Sequence, residues 1–367
     1  MSGCDVDIVA GKAAREAVTA ELAALIGSVT FGSAGLRYRR LGVVAQLARL
    51  HDPVYVTARA GGALVGACVL DRRVLLIGGR ETAGVYRGSL CVTAERVGLG
   101  IGRALADAAR AWIAAEAARA GGAPSLSWGC IERDNAPSLA VLRASGARDA
   151  GGLAMPMPYR QWPRERCALD PLREGRDPRE RELLAATHAD AAVRDVTPSR
   201  LPGFALLDAH GVRISARVAE AAYAIETMGR TTDALVRAFV TPFPVARRRF
   251  DPANFRHVRL VDVGVREGCE RDWPRFVTTL LARHGVHFAA LFVDPGSALA
   301  ARLRVSGSSA SLRVMVRWSS RPDDQVAAVL PPDRGCAGAP AGAPAGAPAG
   351  APAGAPAAVL ALAPIDG

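Results

Sequence analysis

Residues 90–105, Leu90-Cys91-Val92-Thr93-Ala94-Glu95-Arg96-Val97-Gly98-Leu99-Gly100-Ile101-Gly102-Arg103-Ala104-Leu105, constrain the fold more than any other stretch. The segment opens as an apolar run of strand formers, then passes through Gly98, Gly100 and Gly102. Beyond them Leu105, Ala109, Trp112 and Ile113 recur at helical spacing. The pattern predicts strand, glycine loop, helix. Glycine lets the backbone adopt positive φ and approach a ligand closely. The first N–H groups of the helix lack intrahelical partners and carry the positive end of its dipole. Such a turn can cradle a phosphate or pyrophosphate.

The spacing excludes two nucleotide motifs. A dinucleotide fingerprint needs G-x-G-x-x-G, and its third glycine would fall at Arg103. A P-loop needs G-K-[ST], whereas Gly102 is followed by Arg103 and Ala104, and Lys12 is the only lysine in the chain.

Val92-x5-Gly98-x-Gly100-Ile101-Gly102-x2-Leu105 resembles the acyl-CoA pyrophosphate loop of the GNAT superfamily of N-acetyltransferases. A second segment, Asn135-Ala136-Pro137-Ser138-Leu139-Ala140-Val141-Leu142-Arg143-Ala144-Ser145-Gly146-Ala147, resembles that family's N-x-x-A/S-x-x-L-Y-x-x-x-G-F motif at a typical spacing. The resemblance covers residues 1–160. It implies a mixed central sheet flanked by helices, α/β (α+β) in class. It also implies acetyl-CoA or another acyl-CoA as co-substrate, a small-molecule amine as acceptor, and no metal. CoA would contact Leu90, Cys91, Val92, Val97, Gly98, Leu99, Gly100, Ile101, Gly102, Arg103, Asn135 and Ser138. The strands around Leu90 and Leu126–Ile131 would splay, and free backbone groups of Leu90 and Val92 would pair with pantetheine or hold the thioester carbonyl. The chain departs from the family at Val97, where Arg or Gln is usual, and at Leu142–Arg143, where a Tyr often serves as general acid. The alternative reading is therefore a catalytically inactive CoA-binding or regulatory protein.

Acyl transfer also needs a base for the ammonium. Glu132, at the end of the strand facing the thioester, is the first candidate; Tyr86 and Glu81 follow. Tyr159 is a candidate for the missing acid. Tyr38 and the arginines of Arg37–Arg40 are candidates for acceptor contact if they are not a solvated basic loop.

In order, the sequence predicts a strand at Val6–Val9 and a helix over Lys12–Ile26. A loop over Phe31–Arg40 and a helix near Leu41–Leu50 follow. Val54–Ala58 and Leu64–Leu70 form a hairpin about Gly61-Gly62. Leu153–Tyr159 reads as a strand confined to an edge by Pro156 and Pro158. Residues 161–199 read as a charged linker with a helix over Pro178–Val193. Residues 200–320 repeat the order hairpin, strand, helix, strand, helix. Asp294-x-x-Ser297 stands where Asn135-x-x-Ser138 stands, and Gly264–Cys269 replaces the glycine loop. The expectation is two tandem GNAT-like domains, 1–160 and a degenerate 200–320. Residues 321–367, with their A-G-A-P repeat, are expected to be a disordered tail. A short apolar end near Leu360 could dock, though an unstructured end is the expected state.

The net charge of +11 comes from 46 Lys and Arg against 35 Asp and Glu. With 5% aromatic residues and scattered arginines, nucleic acid is not the expected partner. The seven cysteines form no C-x-x-C, which argues against a disulfide framework or a zinc site. No signal peptide and no membrane-length apolar run is visible, so a cytoplasmic protein is expected.

Overall fold

The computed structural model describes residues 4–33, 35–123, 125–160, 166–175, 177–240, 242–305, 312–319 and 360–361. Most of the A-G-A-P tail lies outside them. Two mixed sheets form the body.

The first sheet begins with β1 (Asp5–Val9), followed by α1 (Lys12–Ser28). Then come β2 (Thr30–Ser33), β3 (Leu36–Leu41) and α2 (Val43–Ala48). The meander β4 (Pro53–Ala60), β5 (Ala63–Ile77) and β6 (Arg80–Val92) runs into α3 (Ile101–Arg119). After it come β7 (Leu126–Glu132), α4 (Ala136–Ala144) and β8 (Arg148–Leu153). On one face, Leu105, Ala109, Trp112 and Ile113 of α3 pack against Val54, Val56, Cys68, Leu70 and Val85. On the other, Leu22, Leu25 and Ile26 of α1 pack against Tyr55, Ala67, Val69 and Cys91. The period-2 alternation of β4 and β5 thus feeds two helix layers. Gly66 permits the close seat of α3: a Cβ there would lie 3.0 Å from Ile101 and 3.1 Å from Leu105.

The second half contributes β9 (Asp170–Leu172), α5 (Pro178–Thr187), β10 (Val193–Asp195), β11 (Gly203–Asp208) and β12 (Gly211–Thr227). Next are α6 (Arg230–Phe239), α7 (Pro244–Arg249), β13 (Phe255–Val265), α8 (Trp273–Arg283), β14 (Ala289–Leu291) and α9 (Ala298–Arg302). The last are β15 (Leu312–Trp318) and β16 (Leu360–Ala361). The second sheet runs β14-β13-β12-β11-β9, with Phe276, Leu280 and Leu281 of α8 buried on it.

Strands cross between the halves. β15 lies between β7 and β8 in the first sheet, antiparallel to both. In return, the chain after β8 joins the second sheet beside β14. Ala154 N–H donates to Val293 O (2.8 Å) and Ala289 N–H to Pro158 O (2.9 Å). Pro156 and Pro158 sit on this outer edge, where a missing donor costs no ladder bond. β3 also leaves the first half to pair with β12. The loop expected over Phe31–Arg40 is therefore mostly strand, Thr30–Ser33 and Leu36–Leu41.

The described part of the charged segment 161–199 is shared between the two sheets. β9 pairs with β11, β10 pairs with β5, and α5 packs on β12 and β13. Glu180 and Arg217 are 2% and 1% exposed and form a buried ion pair at 2.5 Å. The segment is therefore more than a charged linker, because α5 is amphipathic in charge. Arg181 and Glu182 turn outward while Glu180, Leu183 and Thr187 turn in. β16 pairs with β10 in parallel through Leu360 and Ala361.

Candidate functional site

β6 and β7 pair over three rungs only, Gly84–Leu126, Val85–Ser127 and Tyr86–Trp128, and then diverge. The cause lies on the opposite edge of β6. Its register with β5 shifts between Ala67 and Val69, and Ser89 takes φ 47. A bulge of this kind bends the strand and raises its twist. Gly129 stands where the strands part; a Cβ there would come within 2.8 Å of Arg87 O. Beyond it opens a cavity of about 590 Å³.

The glycine loop stands at one end of this gap. Gly98 (φ 85) and Gly100 (φ 82, the N-cap of α3) adopt left-handed conformations, while nothing lies within 4 Å of a Cβ on either. Backbone conformation, not crowding, demands these glycines. No side chain caps α3 and no acidic residue sits in its first turn. The N–H groups of Ile101, Gly102 and Arg103 are therefore open to an anion. Ile101 contributes only its N–H, because its side chain is core; Val97, Leu99 and Arg103 are exposed. Thr93 N–H donates to Val65 O (2.9 Å). By strand alternation the Val92 N–H turns the other way, into the gap. Asn135 Oδ1 accepts from Ser138 N–H (3.2 Å) and so caps α4, and both residues line the cavity. Cys91 points away, into the α1 layer, where burial pushes its thiol up to about 12.

The opposite wall comes from the exchanged strand β3. Along it Tyr38 and Arg40 face in while Arg37 and Arg39 face out. Tyr38 donates its hydroxyl to Glu132 Oε1 (3.2 Å), and its ring lies 4.6 Å from that of Tyr223 on β12. Arg40 donates to Ser89 Oγ (2.8 Å) and sits 4.3 Å from the Phe31 ring. The other Glu132 oxygen is buried without a hydrogen bond. Burial raises the Glu132 pKa, against the pull of Tyr38 and Arg40. Burial also raises that of Tyr38, which stays a phenol able to donate. Glu132 is thus a carboxylate with one oxygen fixed and the other free, beside the gap between β6 and β7.

Among the sequence candidates, Leu90, Glu132, Asn135, Ser138 and Tyr86 line one cavity. Tyr86 is 3% exposed and packs on Trp128 (5.7 Å) at the base of the gap. Glu81 is exposed near the far end of β6. Tyr159 is 61% exposed on the edge beside Phe288, outside the cavity lining. Leu142 faces the cavity and Arg143 faces out, so no hydroxyl stands at the family's acid position. Sequence reasoning missed Arg87 and Tyr223. Arg87 is 8% exposed on the cavity wall, and its Nε and Nη2 have no hydrogen-bond partner. The only sequence signal for it was a charged residue inside an apolar strand. No group of His, Cys, Asp or Glu among the described residues is arranged to hold a metal.

The second half contains the same geometry. β13 and β14 pair through Val258–Ala289, Arg259–Ala290 and Leu260–Leu291 and then part. The β12–β13 register shifts between Ser215 and Arg217, and Asp262 has φ 49. Arg266 N–H donates to Arg213 O (2.8 Å), as Thr93 does to Val65. Here the gap edge is occupied. Val265 N–H donates to Thr187 Oγ1 (3.0 Å), Arg302 donates to Val265 O (2.6 Å), and His188 Nε2 meets Val263 O (3.0 Å). A carbonyl only accepts, so His188 Nε2 carries the proton.

No family model matches the chain, and no curated protein matches it in sequence. Solved structures do align. N-myristoyltransferase of Saccharomyces cerevisiae with bound myristoyl-CoA aligns over 88% of this chain and 84% of its own, at 9% identity and TM-score 0.54. A second structure of that enzyme with myristoyl-CoA aligns over 86% and 80%, at 8% identity and TM-score 0.56. A tandem GNAT protein from the clavulanic acid biosynthesis pathway aligns over 87% and 100%, at 14% identity and TM-score 0.47. The chain has the fold of the N-myristoyltransferase structures, built on two mixed sheets.

Proposed function

We propose that this two-domain GNAT fold is an acyltransferase whose first gap binds an acyl-CoA and whose second sheet walls the acceptor side. Glu132 carries the reading. It is a buried carboxylate with one oxygen unpartnered and a raised pKa, on the strand facing the thioester. The pyrophosphate rests on the N–H groups of Ile101, Gly102 and Arg103. Pantetheine runs along the free edge of Leu90 and Val92, and Asn135 and Ser138 flank it. The amine nitrogen attacks the thioester carbonyl, whose oxygen takes a hydrogen bond from the backbone N–H of Leu90 or Val92. Glu132 takes the ammonium proton. That first proton leaves before attack and stays on Glu132 until water removes it; then the N–C bond forms, the C–S bond breaks, and the second proton lost from nitrogen ends on the CoA sulfur. The acceptor is a small-molecule amine, entering between Phe31, Tyr38 and Tyr223.

A catalytically inactive CoA-binding protein is the second reading, favoured by the absence of a hydroxyl at Leu142–Arg143. A panel of amines with acyl-CoA, assayed for free thiol, separates the two. Thiol release that needs an amine and drops in Glu132→Gln supports the enzyme. CoA binding with no turnover on any amine supports the alternative.

A further inference from the structure

We propose that the acyl group carried by this site ends in a carboxylate held by Arg87, so that the donor is the CoA thioester of a short dicarboxylic acid. The inference rests on the acyl-CoA reading of the first gap and adds the identity of the acyl group.

Arg87 lies opposite Leu70 in the β5–β6 ladder, so its side chain shares the α3 face with Leu70. That face of the cavity is formed by Cys68, Ala106, Ala109 and Leu142, all without a carboxylate. Burial, opposed by Cys68 and aided to a lesser extent by Arg317, pushes the guanidinium down to about 10, which leaves it charged at neutral pH. A buried charge without a counter-charge is unfavourable unless a ligand supplies one. The CoA phosphates have their own cradle at Gly98–Gly102. Ala106 and Ala109 lie four and seven residues along α3 from Gly102, roughly 6–10 Å away at about 1.5 Å per residue. Arg87 lies three residues before Leu90, roughly 10 Å of strand at about 3.3 Å per residue. An acyl chain of a few carbons and the arginine side chain cover that span between them. A carboxylate there would pair with the planar guanidinium. It takes no part in the transfer: the C–S bond breaks and the N–C bond forms as above, and the product amide keeps the free acid.

The test compares succinyl-CoA with butyryl-CoA, which has the same chain length without the charge, and with free CoA, by calorimetry. Wild type is expected to bind succinyl-CoA about tenfold or more tighter than butyryl-CoA. Arg87→Met should reverse that order, leave free CoA unchanged and melt higher than wild type without ligand. Arg87→Lys should keep part of the preference. Equal wild-type affinity for the two thioesters, with free CoA still binding, overturns the inference and leaves the acyl-CoA reading standing. Equal loss of free CoA and succinyl-CoA in Arg87→Met also overturns it, because the arginine then serves CoA itself. No binding of free CoA or of either thioester overturns both. If Arg87→Met does not fold, the wild-type comparison and Arg87→Lys decide.

Discussion

In the first half the strand edge beyond the bulge, at Leu90, faces an open cavity of about 590 Å³. In the second half the equivalent edge, at Val263 and Val265, is covered by Thr187, His188 and Arg302. The backbone plan is the same on both sides, down to a non-glycine residue at positive φ, Ser89 in one and Asp262 in the other. The halves differ in what meets the exposed peptide groups. An unpaired buried peptide group is costly, so a gap must hold either a ligand or the protein's own side chains. The first half left the place open and kept the glycine loop. The second covers its edge with Thr187, His188 and Arg302 and keeps a smaller cavity of about 180 Å³ beside Asp262, Val263, Phe292 and Ser297, and its loop carries Arg266, paired with Asp208, in place of an anion cradle.

The sharpest way to break this contrast is to remove the acid at the end of each strand. Glu132→Gln should lower kcat by about 10²–10⁴ in the thiol-release assay, the usual range for a general base. Asp294→Asn, the acid beyond β14 that lines the second cavity, should leave kcat unchanged. The acid limb of kcat/KM should lie above the ordinary carboxylate range, because burial raises the Glu132 pKa. The same shift bears on stability. A carboxyl with a raised folded-state pKa is tolerated when protonated and destabilising when charged. Wild type should therefore match Glu132→Gln in melting temperature at acid pH and fall below it as pH rises through that pKa.

Next comes the loop. Gly100→Asp puts a carboxylate where the anion belongs and forces φ 82 on a residue with a Cβ. Free CoA should bind about 100-fold or more weakly, a loss of about 2.7 kcal/mol by calorimetry. Gly268→Asp in the second loop, at φ 79, should cost stability from the same strain and leave CoA affinity unchanged. Equal losses of CoA affinity in the two variants would mean that the halves bind alike.

Uncovering the second strand edge should have a smaller effect. Thr187→Val strands the Val265 N–H in a buried place and should cost about 1–3 kcal/mol in urea unfolding, with CoA binding unaltered. The smallest effect concerns the helix caps. Asn135→Ala and Ser297→Ala each remove an N-cap and should each cost about 1 kcal/mol. Only Asn135→Ala should also weaken CoA binding, because only its side of the comparison faces an open gap.

Much of this was legible along the chain. The strand, glycine loop and helix at Leu90–Leu105 are local. Positive φ at Gly98 and Gly100 and the apolar period of α3 are properties of neighbouring residues. So are the cap of α4 by Asn135 and the repeat of element order in the second half. The candidate Glu132 was found because strand alternation and position relative to the loop are also local quantities. What the sequence alone determined is therefore the element order and the anion-binding turn.

Only the tertiary structure decided which strands close which sheet. β15 enters the first sheet from the end of the second half, residues 154–160 enter the second, and β3 crosses to β12. These pairings join residues far apart in sequence. They are chosen by which edge has peptide groups left to satisfy, and no local pattern records that. The acceptor wall follows from them. Tyr38 meets Glu132 and Tyr223 only because β3 crosses over. Arg87 reads as one more arginine in an arginine-rich chain until the fold buries it without a partner.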